Sequence, residues 1–394
     1  MVKEKSVLWT KNYIFFFISN LFINTATQFL IPTLPLYAIS VLAVEQSQVG
    51  YLLGVYSFAA LLIRPFSGYA YDHFGRKKMF QISLFFFALA TFLYPFAATF
   101  FLLVLLRFFH GVFFGMISTG GGAMVGDIVA AKRRAEGVGY YSLSNSLAMS
   151  IGPAVGLAIL GENHYNHLFV SAGILTVLSL LFAGLITYPH QAWEKKKLTL
   201  ASFFEKRVLP LSFIMLLIGV VLGGLMTYII VYSQEQGIKS GGLFYLINTI
   251  GVVLTRFFAD KVLEERGPSF IPLPGFAFFA AGFVTLAVGS GLFLFLVAAL
   301  LLGLGNGIVM PSLQTMVINL VEPSSRGVAN STFFAALDIG IGGGSIVLGW
   351  LTGLVTLRTM FLISGLFLIL PLALYYVFAA KDYERKLAVQ RDKK

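Results

Sequence analysis

One acidic residue, Asp338, interrupts the long apolar run 329–351. It lies about nine residues past the start of that run, or ~14 Å along a helix. Apolar surroundings penalise the charged carboxylate, so this side chain can bind a proton and release it when its surroundings change. We therefore interpret Asp338 as a group that exchanges protons or anchors a cation. An interhelical hydrogen bond is the alternative, purely structural role.

A second pair of ionisable residues, Arg107 and His110, lies one helical turn apart in the apolar run 100–125. A guanidinium among apolar residues is costly, so we expect Arg107 to line a cavity or to pair with Asp338 or backbone carbonyls, and we assign it to proton coupling with Asp338 and His110. Histidine titrates near neutral pH, which makes His110 a further candidate for proton exchange. A neutral, buried histidine with a packing role is the alternative for His110.

The stretch GYAYDHFGRKK begins at Gly68 and concentrates charge between two apolar runs. Gly68 lets its helix approach a neighbour closely, as small residues do in membranes. Gly75 can take the positive φ that a tight turn between antiparallel helices needs. Asp72, Arg76 and Lys77 supply charges for ionic contacts at this turn.

Long apolar segments must position these residues. Of the 394 residues, 58% are hydrophobic and 11% are charged, and the mean hydropathy is +0.85. Soluble domains have about a quarter of their residues charged, so this composition indicates a polytopic membrane protein. The absence of cysteine excludes disulfides, thiolate metal ligands and cysteine nucleophiles. Segments of about 20 residues suit membrane spans, and we place them at 12–40, 50–70, 79–97, 100–125, 137–160, 168–188, 209–232, 241–260, 270–289, 292–318, 329–351 and 359–379.

The predicted fold class is thus an all-α membrane protein with twelve transmembrane helices. If the N-terminus is cytoplasmic, the segments on the inner side hold 23 of the 28 Lys and Arg residues, and the outer segments hold 2, Lys239 and Arg358. This bias follows the positive-inside rule, so we expect a multi-pass protein of the cell membrane with both termini in the cytoplasm. The formal charge of +11 then reflects topology and contact with anionic lipid, and we predict no nucleic-acid partner.

An internal repeat relates the two halves of the chain at an offset of 192 residues. The matched pairs are Arg64 and Arg256, Gly75 and Gly267, Gly111 and Gly303, Gly115 and Gly307, and Arg134 and Arg326. We predict an N-terminal six-helix bundle over 1–188, a cytoplasmic linker over 189–208 and a C-terminal bundle with a short basic tail over 209–394. Two such pseudo-symmetric bundles place a substrate site near the bilayer midplane.

With these residues, the chain resembles the major facilitator superfamily over nearly its whole length. The loop signature of that family, G-x-x-x-D-x-x-G-R-K/R-x, is filled completely from Gly68 to Lys78. A second motif, Arg and then Gly four residues later on span 4, is met by Arg107 and Gly111. The span-5 motif of exporters, G-x-x-x-G-P-x-x-G-G, is met only at its centre, because alanine and leucine replace its first and last glycines. The chain is most similar to the twelve-span drug and metabolite efflux group.

The resemblance implies a gate on the cytoplasmic side. Asp72 would face the N-terminal end of span 11, where free N–H groups and the helix dipole favour an anion. Arg76 would pair with Asp127 at the end of span 4. Together these contacts would latch the inner side shut, with Arg64, Arg256 and Arg326 as further members of the gate. The alternative is that the loop only sets topology through its positive charge.

Four residues on spans 4 and 5 are assigned to helix packing, namely Gly111, Gly152, Pro153 and Gly156. We expect Gly152 and Pro153 to bend span 5 and bring it close to span 8 of the other half. The candidate substrate-binding residues are polar or aromatic side chains within spans, namely Asn24, Gln28, Asn145, Asn248, Gln314, Phe333 and Phe334. An apolar pocket with few polar anchors suits amphiphilic molecules.

These observations predict a secondary active transporter, a proton antiporter that exports small amphiphilic or lipophilic compounds by alternating access. The alternatives are an exporter of a siderophore-like metabolite, a sugar or organic-acid carrier, a membrane enzyme and a non-transporting sensor. The sequence has no GxxxxGK[ST] nucleotide-binding motif and no cluster of His, Asp and Glu. We therefore expect no enzyme activity, no metal and no cofactor, a proton gradient as energy source, and a monomer in the lipid bilayer.

Overall fold

The computed structural model describes residues 7–188, 204–266, 272–322 and 325–391. Long α-helices joined by short turns account for most of these residues. They are α1 Lys11–Ser40, α2 Gly50–Phe74, α3 Arg76–Leu93, α4 Phe100–Ile128, α5 Arg134–Leu160, α6 Tyr165–Leu185, α7 Leu209–Glu235, α8 Leu243–Arg266, α9 Pro272–Val288, α10 Gly291–Asn319, α11 Arg326–Thr352, α12 Leu357–Phe367, α13 Ile369–Leu374 and α14 Ala380–Arg391.

The apolar helices confirm the predicted fold class. Within the described residues, 10 helices are long and apolar enough to cross a membrane. Two shorter apolar helices, Leu243–Thr255 and Leu273–Val288, lie where the eighth and ninth spans were expected.

Several helices begin where a threonine satisfies a free backbone N–H group. The side chain of Thr10 accepts a hydrogen bond from the Tyr13 amide, and Thr99 accepts one from the Leu102 amide. Helix N-termini leave such N–H groups without partners in the helix, and a threonine oxygen is a good substitute. These caps fix the starts of α1 and α4 close to the positions expected from hydropathy.

The last predicted span, 359–379, is interrupted rather than continuous. Helix α12 ends at Phe367, and a π-helical turn over Tyr375–Ala379 follows α13. Pro371 explains the first break, because its ring clashes with the carbonyl four residues earlier, that of Phe367, and it cannot donate a hydrogen bond.

The contacts divide the chain into two compact units. The first comprises Met1–Ala43 and Val55–Leu198, and the second comprises Val44–Gly54 and Thr199–Lys394. The start of α2 therefore groups with the second unit, where Ser345 donates a hydrogen bond of 2.6 Å to the Gly50 carbonyl. The domain boundaries expected from the sequence stay a prediction.

Within each unit, the glycines of the repeat contact equivalent neighbours. An added Cβ at Gly111 would meet the Tyr56 backbone, and one at Gly303 would meet the Asn248 backbone, 192 residues further along. The same relation holds on other helices, where an added Cβ at Gly152 would meet Gln28 and one at Gly344 would meet Val220, also 192 residues further along. The repeat therefore preserves close contacts between helices as well as identical residue types. Gly267, also part of the repeat, lies outside the described residues.

Candidate functional site

The turn between α2 and α3 places an arginine between two carboxylates. Gly75 has the expected positive φ, +93°, and so turns the chain into α3. Arg76 Nη1 lies 2.5 Å from Asp127 Oδ2, and Arg76 Nη2 lies 3.2 Å from Asp72 Oδ1. The side chains of Arg76 and Asp127 are only 14% and 10% exposed, whereas that of Asp72 is 42% exposed. The pair with Asp127 is therefore the better shielded of the two.

Two further contacts tie this turn to the end of α6. The hydroxyl of Tyr188 donates a hydrogen bond to Asp127 Oδ2, and Lys77 Nζ donates one of 3.0 Å to the Gly184 carbonyl. Burial and the neighbouring Asp127 charge raise the pKa of Tyr188. Sequence reasoning missed Tyr188, although a tyrosine at the end of an apolar run is typical of a membrane interface.

The other gating candidates are more dispersed. An added Cβ at Gly68 would meet no described atom within 4 Å, so the expected close approach there is wrong for this structure. Arg64 is half-buried and close enough to Tyr141 to interact electrostatically. Arg326 is exposed at the first residue of α11, and the side chain of Arg256 lies outside the described residues.

Arg107 and His110 lie together in the interior of the first unit. Their side chains are 1% and 0% exposed. The Arg107 guanidinium lies over the Tyr56 ring, 4.1 Å from its centroid, and 3.4 Å from His110 Nδ1. His110 also contacts the Tyr94 hydroxyl at 3.0 Å through Nδ1 and Thr91 Oγ1 at 3.2 Å through Nε2. Sequence reasoning found the two ionisable residues but not these three partners.

Two of the polar candidates, Asn24 on α1 and Asn145 on α5, belong to one hydrogen-bonded cluster around a residue that sequence reasoning missed. Asn20 Nδ2 donates to Asn145 Oδ1 at 2.7 Å and to Ser144 Oγ at 2.6 Å. Asn24 Nδ2 donates to the Asn20 carbonyl at 2.8 Å. Asn20, Asn24 and Gln28 recur every four residues, which places them on one face of α1. That spacing is the signal by which Asn20 could have been found.

The candidates in the second unit are more dispersed. Asn248 Nδ2 donates to the Ala299 carbonyl at 3.1 Å, a contact between α8 and α10. Gln314 Nε2 lies 3.5 Å from Asn330 Oδ1, between α10 and α11. Phe333 is fully buried, and Phe334 is half-buried. Asn248 and Gln314 thus make these hydrogen bonds at two different helix interfaces.

Asp338 lies in the middle of α11, half-buried, with its Oδ2 atom enclosed. Glycines on two helices bring this part of α11 against α7. Added Cβ atoms at Gly219, Gly340 and Gly344 would each fall within 3 Å of the facing backbone. Such backbone-to-backbone contact fixes the position of the helix that carries the carboxylate.

The expected partner of span 5 is wrong. Added Cβ atoms at Gly152 and Gly156 would meet Gln28 and Phe29, so these glycines pack α5 against α1 of the same unit. A Gly-Pro pair favours close approach and a weakened helix, but it does not specify which neighbour the helix approaches. Pro153 lies inside α5 without ending it.

Two curated proteins resemble the chain over most of their length. The Staphylopine export protein of Staphylococcus aureus is 26% identical over 354 residues, which cover 85% of this chain and 88% of that protein. Multidrug resistance protein 2 of Bacillus subtilis is 25% identical over 398 residues, which cover 96% of this chain and 98% of that protein.

Solved structures share the fold. A bacterial homolog of the human lysosomal transporter Spinster, in an inward-facing and unoccupied conformation, aligns with a TM-score of 0.79 over 95% of this chain and 98% of that one, at 15% identity. The family model of the Major Facilitator Superfamily matches residues 16–288 and 240–393. Together with the helical fold and the complete loop motif, this match means that the chain belongs to the Major Facilitator Superfamily.

Proposed function

We propose that this protein is a secondary transporter that exports small amphiphilic organic compounds across the cell membrane and is driven by an opposing flow of protons. Membership of the superfamily supports a transport role. The names of two relatives, an export protein and a multidrug resistance protein, support export and a broad range of small substrates. The same evidence favours a carrier over an enzyme, and the proposed energy source needs no cofactor.

The observation that carries the proposal is the position of Asp338. Its carboxylate lies at mid-helix in a membrane span, where a charge is costly unless it has a task. When the carboxylate faces the more acidic side it takes up a proton, and it releases that proton to the other side as access alternates. A cationic substrate would compete with the proton for the same oxygen atoms, which is the basis of exchange.

The inner turn is the proposed gate. Asp127, Arg76 and Tyr188 form its base within the first unit. In this proposal, Asp72, the more exposed of the two acids, reaches the start of α11 in the part of the cycle that closes the inner side. The two termini are proposed to lie in the cytoplasm, because positive charge concentrates in the segments on that side.

A siderophore-like, metal-chelating metabolite is the second candidate substrate. Similarity to a Staphylopine export protein is the specific observation that favours it. If such a substrate carries carboxylates, a cationic group within the membrane would have to offset them. Arg107 is the candidate for that role.

Reconstituted transport separates these proposals. The purified protein in liposomes should move ethidium, a lipophilic cation, across the membrane in the direction opposite to the imposed proton flow. The Asp338→Asn variant should not move it. A matched control is Glu162→Gln, which removes an exposed acid outside the membrane spans. Transport of a zinc nitrilotriacetate complex but not of ethidium would favour the chelate exporter. Unchanged ethidium exchange in Asp338→Asn would overturn the coupling role.

A further inference from the structure

A chain of polar side chains runs through the apolar interior of the first unit. It starts at Arg107, whose guanidinium is within hydrogen-bonding reach of the Tyr94 hydroxyl. Tyr94 lies 3.0 Å from His110 Nδ1, and His110 Nε2 lies 3.2 Å from Thr91 Oγ1. Thr91 in turn donates its hydroxyl proton to the Phe87 carbonyl at 2.9 Å. The chain therefore ends on a backbone acceptor.

This end point sets the direction of every hydrogen bond in the chain. Because Thr91 uses its proton on a carbonyl, its oxygen accepts from His110 Nε2–H. Nδ1 then carries the lone pair of a neutral ring, and the Tyr94 hydroxyl donates to it. A second proton on Nδ1 would instead face the Arg107 guanidinium across 3.4 Å, with both groups positive and buried. The geometry therefore fits the neutral Nε2–H tautomer.

The second unit shows that the helix crossing itself does not need these polar groups. At the offset of 192 residues, apolar side chains stand in their place, namely Phe283 for Thr91, Leu286 for Tyr94, Ala299 for Arg107 and Leu302 for His110. All four of these residues are buried, and Gly303 on α10 contacts the Asn248 backbone as Gly111 on α4 contacts that of Tyr56. Replacing a buried ionic network by well-packed apolar residues of similar volume is often neutral or stabilising. The apolar counterparts therefore show that a crossing of these helices does not depend on a polar chain.

We propose that His110 is a positioning residue that stays neutral and holds the Arg107 guanidinium in place through Nδ1 and Tyr94. It is thus not itself a carrier of the transported proton, which narrows the role expected from the sequence. This inference rests on the proposed function, in which transport is coupled to protons, and on the assignment of Arg107 to proton coupling. The groups that face His110 are Arg107 and Tyr94 in direct contact, the Phe87 ring at 3.8 Å and the Tyr56 ring at 5.9 Å.

A spectroscopic experiment tests the tautomer without any need for transport. The protein is labelled with ¹⁵N-histidine in detergent, and the His110 signals are those lost in His110→Asn. We expect a protonated Nε2 and an unprotonated Nδ1 whose shifts stay constant from about pH 5 to 9, although free histidine titrates near 6.5. A ring that gains a proton in this range, or that carries its proton on Nδ1, would overturn the proposal. This readout stands even if proton-driven export itself proves wrong.

Transport by substituted proteins tests the positioning role. The amide of asparagine reaches the place of Nδ1, whereas that of glutamine reaches the place of Nε2. We therefore expect His110→Asn to keep most ethidium–proton exchange, and His110→Gln and His110→Leu to lose about tenfold or more, as expected when a charge-assisted hydrogen bond is lost. Export by His110→Leu at the wild-type rate and with the wild-type pH profile would refute the role.

A second substitution covers the case in which His110→Leu fails to fold. Thr91→Val removes the oxygen that accepts the Nε2 proton of His110 and leaves the size of the side chain nearly unchanged. We expect it to lower the rate of ethidium–proton exchange. Its matched control is Thr176→Val, another buried threonine, whose hydroxyl donates to the Gly173 carbonyl of its own helix at 2.7 Å. Equal exchange rates in these two variants would contradict the proposal.

Discussion

The contact between α7 and α11 predicts that one added methyl group at Gly344 disables the second unit. A Cβ there would lie 2.6 Å from the Val220 carbonyl carbon and nearer still to its oxygen. Carbon atoms in contact are about 3.5–4.0 Å apart, so the two helices must separate by about 1 Å at this crossing. Overpacking of this kind costs about 1–3 kcal/mol, and we expect Gly344→Ala to lower the free energy of unfolding by about 2 kcal/mol.

The same displacement should reach the proposed coupling residue. Asp338 lies six residues before Gly344 on α11, or ~9 Å along the helix. A functional group displaced by about 1 Å can lose most of its effect, so proton-driven export should fall by about tenfold or more. Loss of stability and loss of transport are therefore expected together in Gly344→Ala.

Thermal unfolding of the purified protein in detergent measures the first effect. A domain of 150–250 residues loses about 2–4 °C of Tm per kcal/mol, so the expected decrease is ~4–8 °C. Gly122→Ala is the matched control, because an added Cβ there meets no described atom within 4 Å and alanine favours a helix over glycine. If Gly344→Ala melts and transports like Gly122→Ala, the two helices do not touch through their backbones and the reasoning is refuted.

Three further predictions concern the inner turn. Asp127→Asn should slow export several-fold, and combining it with Arg76→Gln should add little, because the two residues share one mostly buried ion pair; additive losses in the rates would contradict this. Asp72→Asn should leave Tm unchanged, since an exposed i,i+4 pair contributes about 0.3–0.5 kcal/mol, yet should slow export, and full activity would rule out the latch. Tyr188→Phe should lower Tm by a degree or more at pH 6–9. The pKa of Tyr188 is raised in the folded protein. The difference in Tm between the wild type and Tyr188→Phe should therefore disappear only above about pH 10, where tyrosine in the unfolded protein ionises. If this difference disappears at a lower pH, another group must titrate.

The sequence predicted what depends on residue order along one helix or turn. Apolar length located the spans, and the glycine at the α2–α3 turn predicted its positive φ. The offset of 192 residues relates not only the glycines but also their neighbours, since Gly111 contacts Tyr56 and Gly303 contacts the equivalent residue, Asn248. Close approaches need small residues at fixed positions, so a sequence repeat preserves them.

What the sequence did not predict depends on how each helix is rotated. Gly152 was expected against span 8 and packs on α1, because a glycine allows contact without choosing the neighbour. Asn20, Tyr56 and Tyr94 gained their importance only from partners on other helices. Pro371 could have signalled the break in the last span, but hydropathy alone averages over such a residue.

Tyr188 and Glu205 lie near the two ends of the chain segment that connects α6 to α7. Tyr188 is hydrogen-bonded to Asp127 in the first unit, and the Glu205 amide donates a hydrogen bond of 3.0 Å to Thr332 in the second. The two residues are 17 positions apart, so the intervening chain can span at most about 60 Å. These two contacts, rather than the ends of α6 and α7, therefore set the number of residues that connect the two anchored positions. A gene split within 189–203 would leave each half with its own anchor. In the undivided chain, lengthening this segment should slow refolding without altering either anchor.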